Sequence, residues 1–143
     1  RMSLAQSSTD IWLNFFNRDA NGQDVRISYY TKGPVIGLLL DIAIRQASNN
    51  QHSCDDVMRA LYNRYYKDAG RGFTPEEFWS ICEEYSGSDL SEIKSYVYTT
   101  CDVDYEKYFN YAGLTMDRET YRIDTLAETS PGQKAIRKAI IGE

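Results

Sequence analysis

Few residues in this chain have the type and spacing for chemistry. The single histidine, His52, lies in a polar loop beside a helix cap, where plain solvation is the ordinary state. A metal centre needs several His, Cys or carboxylate ligands converging. No HExxH, no CxxC and no Cys–His arrangement of recognisable spacing occurs, so no metal ligand is assigned. Asp102-Val103-Asp104-Tyr105-Glu106 starts like a calcium loop but lacks the glycine at its sixth position and the closing glutamate. Phosphate-cradling glycine patterns are missing too; Gly33 and Gly37 suit turns or close packing. Cys54, Cys82 and Cys101 are odd in number and unpaired in spacing. They are expected to be free thiols, which favours a reducing, cytoplasmic compartment. No base accompanies them for a caspase-like or papain-like nucleophile.

Two groups remain. Asp41 and Arg45 are four apart and can pair on one helix face; a structural tie between a buried helix and its neighbours is the simplest role. Tyr29 and Tyr30 stand together ahead of an apolar run. On residues alone their expected role is packing plus one hydrogen bond.

The element that must position them is Ile27–Gln46, ISYYTKGPVIGLLLDIAIRQ. It is expected to begin extended, turn at Lys32-Gly33-Pro34 and continue as a helix, because proline suits the first helical position. From Val35 to Ile44 the only charge is Asp41. A helix apolar on nearly every face lies inside a larger body, and this one is too short to span a bilayer.

Around it the chain punctuates into short helices. Residues 1–7 form a polar lead-in, and Ser7 or Ser8 is expected to cap a helix over 9–17 with Ile11, Trp12, Phe15 and Phe16 on one stripe. Asn21-Gly22 signals a turn, and Val25–Tyr29 a short extended segment. Ser53 and Asp56 stand at capping-box spacing before Val57, Met58, Leu61, Tyr62 and Tyr65, a helix closed by Gly70 and Gly72. The clearest local signal is Phe73-Thr74-Pro75-Glu76-Glu77-Phe78: Thr74 caps, Pro75 comes first, Glu77 closes the box, and Phe73 and Phe78 form a hydrophobic staple. That helix runs to Tyr85 and stops at Gly87. Asp89 is expected to cap the next, and Asp102 or Asp104 a sixth that ends at Gly113. Thr120–Leu126 suits a strand, and Ser130-Pro131 opens a last amphipathic helix through Ile141.

At 143 residues, with 42% hydrophobic residues, the chain is one domain's worth with a real core. Twelve tyrosines make it aromatic-heavy, and tyrosine buries a ring while keeping a hydroxyl for water or a partner. A net charge of −5 argues against nucleic acid, and there is no polybasic patch for an anionic membrane. Arg1-Met2 is not a natural start, so the expected N-terminus lies upstream and targeting is not legible.

One stretch carries a resemblance. Ser28-Tyr29-Tyr30-Thr31-Lys32-Gly33 followed by Leu38–Arg45 resembles the M61 family of zinc aminopeptidases, the glycyl aminopeptidases. Asp55–Arg59 with Leu61-Tyr62, Gly72-Phe73-Thr74 with Glu77-Phe78, Gly87 with Asp89-Leu90, Tyr96-Val97, Asp104–Glu106 and Ala112-Gly113-Leu114 keep that family's order. Each piece is weak; the ordered set, from about Ser7 to Leu114, is fairly specific. The resemblance implies a gluzincin-type fold, of which residues 1–114 would be the helical C-terminal part. The metal-binding half, with its zinc, would lie upstream. Residues 115–143 would be an extension, with a short strand and a last helix, in place of the family's PDZ domain.

Carried onto this chain, Tyr30 would be the tyrosine that points at the zinc site, with Tyr29 its rival. A phenol with pKa near 10 stays protonated and can donate to the oxyanion that develops as a peptide bond is cleaved. Thr31 stands where the related M1 motif has glutamate, so that charge arrangement is not inherited. The fold class expected is mainly α, short helices around a buried central helix. The function expected is the cleft wall of an aminopeptidase that removes N-terminal Gly or Ala from peptides. On that reading this chain would hold no cofactor and be inactive alone, and its uncovered apolar surface would favour a dimer. A non-catalytic helical interaction module is the alternative.

Overall fold

The computed structural model describes residues 2–10 and 29–142. The expected stripe of Ile11, Trp12, Phe15 and Phe16, the Asn21-Gly22 turn and the extended segment before Tyr29 lie outside them. The described residues form α1 (Leu4–Thr9), α2 (Tyr29–Ala47), α3 (Cys54–Leu61), a π-helix π1 (Tyr62–Asp68), α4 (Pro75–Ser86), α5 (Ser91–Tyr98), α6 (Tyr105–Tyr111), strands β1 (Leu114–Met116) and β2 (Ile123–Thr125), and α7 (Pro131–Ile141). The mainly α class expected from the sequence is the one observed. Two compact units divide the chain: Arg1–Leu38 with Ser91–Val103, and Leu39–Leu90 with Asp104–Glu143.

In the first unit α1 packs on α5. Its core holds Leu4, Ile36, Ile93 and Tyr96. The expected polar lead-in is therefore corrected: it is a helix. Ser3 caps it, its hydroxyl accepting the Gln6 N–H at 3.1 Å, and Ser7 is buried within the helix. Leu4 alone gives no periodicity to read, and the cap plus one buried leucine decide the outcome.

The expected turn at Lys32-Gly33-Pro34 is also corrected. Tyr29 and Tyr30 are already helical and Pro34 lies inside α2. Proline removes the bond its N–H would make to the carbonyl four residues back, at a cost of about 3 kcal/mol in a helix interior. Several buried side chains further along outweigh that, each contributing about 1.5–3 kcal/mol. The burial is one-ended. Leu39 and Ile44 are 0% exposed, whereas Gly37 and Leu38 face outward.

The second unit is built on Leu39–Ala47 of α2. Leu39, Leu40, Ile42 and Ile44 share its core with Val57 and Leu61 of α3, Trp79 and Cys82 of α4, Phe109 of α6 and Ile136 of α7. Four of the expected caps hold. Ser53 N–H donates to Asp56 Oδ2 at 3.0 Å. Thr74 Oγ1 accepts the Glu77 N–H at 3.2 Å while Glu77 Oε2 accepts the Thr74 N–H at 2.8 Å. Asp104 caps α6, and Ser130 with Gln133 boxes α7. The Phe73 and Phe78 rings lie 6.3 Å apart, as a staple requires.

Three expectations shift. The helix after Ser53 changes its winding at Tyr62, where π1 widens the turn before Gly70 (φ +64°). α5 begins at Ser91, two residues beyond the expected cap Asp89. The expected strand over 120–126 shortens to β2, which pairs antiparallel with β1 in the register Leu114↔Thr125, Thr115↔Asp124, Met116↔Ile123. The residues before β2 are taken by a turn, because Asp117 Oδ1 accepts the N–H groups of Glu119 and Thr120 at 2.8 and 2.9 Å.

Candidate functional site

Tyr29 and Tyr30 occupy the first described turn of α2, with rings stacked at 4.2 Å between centroids and 30° between planes. Tyr30 is 71% exposed, and Tyr29 is half-buried. A side-chain hydrogen bond to Tyr30 raises the Tyr29 phenol above its ordinary value, with a further contribution from burial. Tyr30 carries the outward-facing ring. Both sit in helical backbone, so Lys32, Gly33 and Pro34 extend the same helix rather than forming a turn that aims a ring.

The same unit holds Cys101, an exposed free thiol. Thr99 Oγ1 donates to its sulfur at 3.0 Å and Ser95 Oγ lies 3.4 Å away. The Ser95 and Thr99 hydroxyls, with a smaller effect from the Lys32 charge, hold this thiol below the ordinary range. Spacing alone does not announce this, since it takes the end of α5 to bring Ser95 and Thr99 back onto residue 101.

In the second unit Asp41 and Arg45 pair as their spacing predicts, Arg45 Nε donating to Asp41 Oδ2 at 2.7 Å. The other oxygen, Asp41 Oδ1, accepts the Cys54 N–H at 2.7 Å. Asp41 is therefore an acceptor at the N-terminus of α3, where a negative charge is favoured. Arg45 Nη1 reaches on to Asn50 Oδ1 at 3.1 Å. One carboxylate and one guanidinium thus tie α2 to α3 and to the loop between them. The Cys54 thiol beside them is pushed up to about 12, by burial first and by Asp41 second. Burial overrides the usual acidifying effect of a helix N-terminus. Burial also pushes the Cys82 thiol up to about 12.

His52 Nδ1 stands 3.7 Å from Asp56 Oδ2, and its ring meets Tyr85 edge-on at 5.1 Å. Asp56 is already engaged by Arg59 at 2.9 Å. Among the described residues no three His, Cys, Asp or Glu side chains converge as a metal would require. None of their helices is long and apolar enough to cross a membrane.

One surface has no forerunner in the sequence pattern. Across α3 and π1 the Tyr62 and Tyr66 rings stack at 5.2 Å. With Met58 and Phe73 they wall an open, largely apolar groove of about 360 Å³. All four side chains are exposed. The helical intervals of this stretch suggest an inward face for Met58 and Tyr62; instead Met58, Tyr62 and Tyr66, each four residues from the next, line up on an exposed one. No family model, curated protein or solved structure matches this chain.

Proposed function

We propose that this chain is the helical C-terminal part of an M61-like zinc aminopeptidase, acting on peptides with N-terminal Gly or Ala. The observation that supports this best is the placement of Tyr30. Its ring is exposed at the start of α2, a helix that the buried Ile36 anchors in the core of the same unit. A phenol carried on a rigid element is a precise hydrogen-bond donor. Its task would be donation to the oxyanion of the peptide bond under cleavage, a role it can fill only while protonated. Tyr29 would hold the Tyr30 hydroxyl from the side. The described residues offer no converging zinc ligands, so they do not fit the metal. The metal and the attacking group belong to a separate half of such an enzyme, and the task of this chain is confined to donating a hydrogen bond and walling the cleft.

The test is a turnover assay on a protein that joins this chain to a metal-binding half. The expected result is bound zinc, Gly- and Ala-aminopeptidase turnover, and a loss of about 10²–10³ in kcat for Tyr30→Phe. Tyr29→Phe should cost far less. A zinc-free protein, or a Tyr30→Phe variant with full turnover, overturns the reading.

The groove of Met58, Tyr62, Tyr66 and Phe73 favours a second reading, a non-catalytic helical interaction module. Stacked exposed aromatics beside a methionine resemble the core of a protein-binding patch. Under that reading the Tyr30 variants bind and fold normally, and only groove variants lose a partner.

A further inference from the structure

The groove of Met58, Tyr62, Tyr66 and Phe73 plays no part in peptide cleavage. Its size sets it apart from scattered surface residues. The four side chains are 57%, 56%, 67% and 47% exposed. At about 150–250 Å² for a whole side chain of this kind, they leave roughly 450 Å² of apolar surface in one patch. Patches of more than a few hundred Å² mark interaction sites. The floor is closed by Leu61, 2% exposed. Its shape is elongated. Met58, Tyr62 and Tyr66 follow one another at four-residue spacing along α3 and π1. A ridge of that kind is what a second helix covers, with about 8–10 Å between axes.

The charges along this ridge select what can cover it. Most are spent within the unit: Arg59 on Asp56 at 2.9 Å, Arg64 on Glu84 at 2.6 Å and Arg71 on Glu77 at 2.7 Å. Asp55 and Lys67 are exposed and form no ion pair with the described residues. Asp55 stands three residues before Met58, at the N-terminal end of the ridge. Lys67 stands at the other end, because a π turn closes i→i+5 and sets residue 67 as well as residue 66 beside Tyr62. Asp68, also exposed, lies roughly a quarter-turn further round. An apolar stripe with an anion at one end and a cation at the other is complementary to itself turned end for end. Turned parallel instead, it would set Asp55 against Asp55 and Lys67 against Lys67.

We propose that this face docks a second copy of the chain, α3 and π1 lying antiparallel on α3 and π1 of that copy about a two-fold axis near Tyr62. The contact is isologous, so each feature counts twice. Asp55 of either copy meets Lys67 of the other, and the tyrosines and Met58 fill the seam between. The two apolar patches together remove roughly 900 Å² from water, just below the roughly 1,200 Å² at which stable interfaces begin. The dimer is therefore reversible. The proposal rests on the reading of this groove as an interaction surface and not on Tyr30.

The experiment is sedimentation equilibrium of the full chain from about 10 μM to about 1 mM, the range in which small interfaces associate. Reductant is present, so that the exposed Cys101 cannot cross-link copies. The expected result is a mass that rises from one chain to two across that range. Tyr66→Ala, altered at an exposed position, should weaken the dimer at least tenfold with its helical circular dichroism unchanged. The orientation is read by charge. Lys67→Glu alone sets carboxylates against each other at both ends, and Asp55→Lys alone sets ammonium groups against each other, so each should dimerise several-fold more weakly. Mixed together, these two variants place opposite charges at both ends, and the mixture should form dimers that neither forms alone. A chain that stays monomeric throughout overturns the proposal and leaves the Tyr30 test as it stands. A Tyr66→Ala dimer as tight as the original overturns it too, as does a mixture no tighter than its parts.

Discussion

Removing the Asp41 carboxylate should unfasten α2 from α3. Two bonds end on it, both 2.7 Å, one from the Arg45 guanidinium and one from the Cys54 N–H. The two side chains are 16% and 19% exposed, so water replaces neither bond cheaply. A hydrogen bond to a charged group contributes about 1.5–3 kcal/mol. In Asp41→Ala both bonds go and Arg45 keeps only Asn50, so the loss should be about 3 kcal/mol. Asp41→Asn can still accept the Cys54 N–H, and about half that loss is expected. In a chain of this size 1 kcal/mol shifts Tm by roughly 3 °C, so the alanine variant should melt about 10 °C lower.

Thermal and urea unfolding followed by circular dichroism measure both numbers. A second readout comes from Cys54, whose thiol Asp41 helps to push up. With the negative charge gone and Arg45 left alone, the Cys54 thiol should ionise at lower pH and alkylate faster under native conditions. An alanine variant that loses less than about 1 kcal/mol would refute the reasoning, since that is the range of an exposed pair. So would an asparagine variant as damaged as the alanine one.

Other expectations concern single positions. Gly113 has φ +67°, and a Cβ there would meet Thr129 Cγ2 at 2.7 Å and Gln133 Cβ at 3.2 Å. Gly113→Ala should therefore cost more than Gly87→Ala, which has the same φ but open space around it; the latter should cost about 1–2 kcal/mol, and equal urea midpoints would contradict this. Native alkylation should label Cys101 far ahead of Cys54 and Cys82, whose thiols sit near 12 against an ordinary value of 9.0; three pKa units correspond to about 1,000-fold less thiolate. Uniform labelling by mass spectrometry would count against it, and Ser95→Ala should slow the Cys101 reaction. Glu77 is held down to about 2, from an ordinary 4.5, by its bond to Arg71 and by the Thr74 N–H. A depressed folded-state value gives stability that is complete above 4.5 and lost as pH falls toward about 2. Glu77→Gln should flatten that acid limb, and an unchanged slope of stability against pH would sink the assignment.

Local chemistry was the legible part of this sequence. Thr74-Pro75 with Glu77, Ser130-Pro131 with Gln133, and Asp104 each name a helix start because one oxygen must face one N–H a fixed number of residues on. The Asp41–Arg45 pair follows from helical spacing in the same way. Several expectations that depended on a partner from elsewhere did not hold. Leu4 makes a helix of the lead-in because α5 is there to receive it. Pro34 is tolerated inside α2 because the core holds the later turns. π1 leaves no mark in the pattern, since its residues keep nearly helical intervals. The candidate residues were readable as types only. Tyr30 and Tyr29 were visible in the sequence, but their stacking depends on a backbone path that no local rule specifies.

The approach of Thr129 to Gly113 has a consequence for where this chain can change length. Leu126 N–H donates to the Gly113 carbonyl at 2.9 Å, and Gln133 reaches Asn110 just behind it. The hairpin of β1 and β2 is thus an excursion clamped at its base, leaving and re-entering the unit through one doorway. Adding residues at its tip leaves that clamp untouched, and each doubling of such a loop costs only about 0.6 kcal/mol. Between Met116 and Ile123 the protein is built like a socket, able to carry an added sequence, even a folded one with close-set ends, while the helices behind it keep their places.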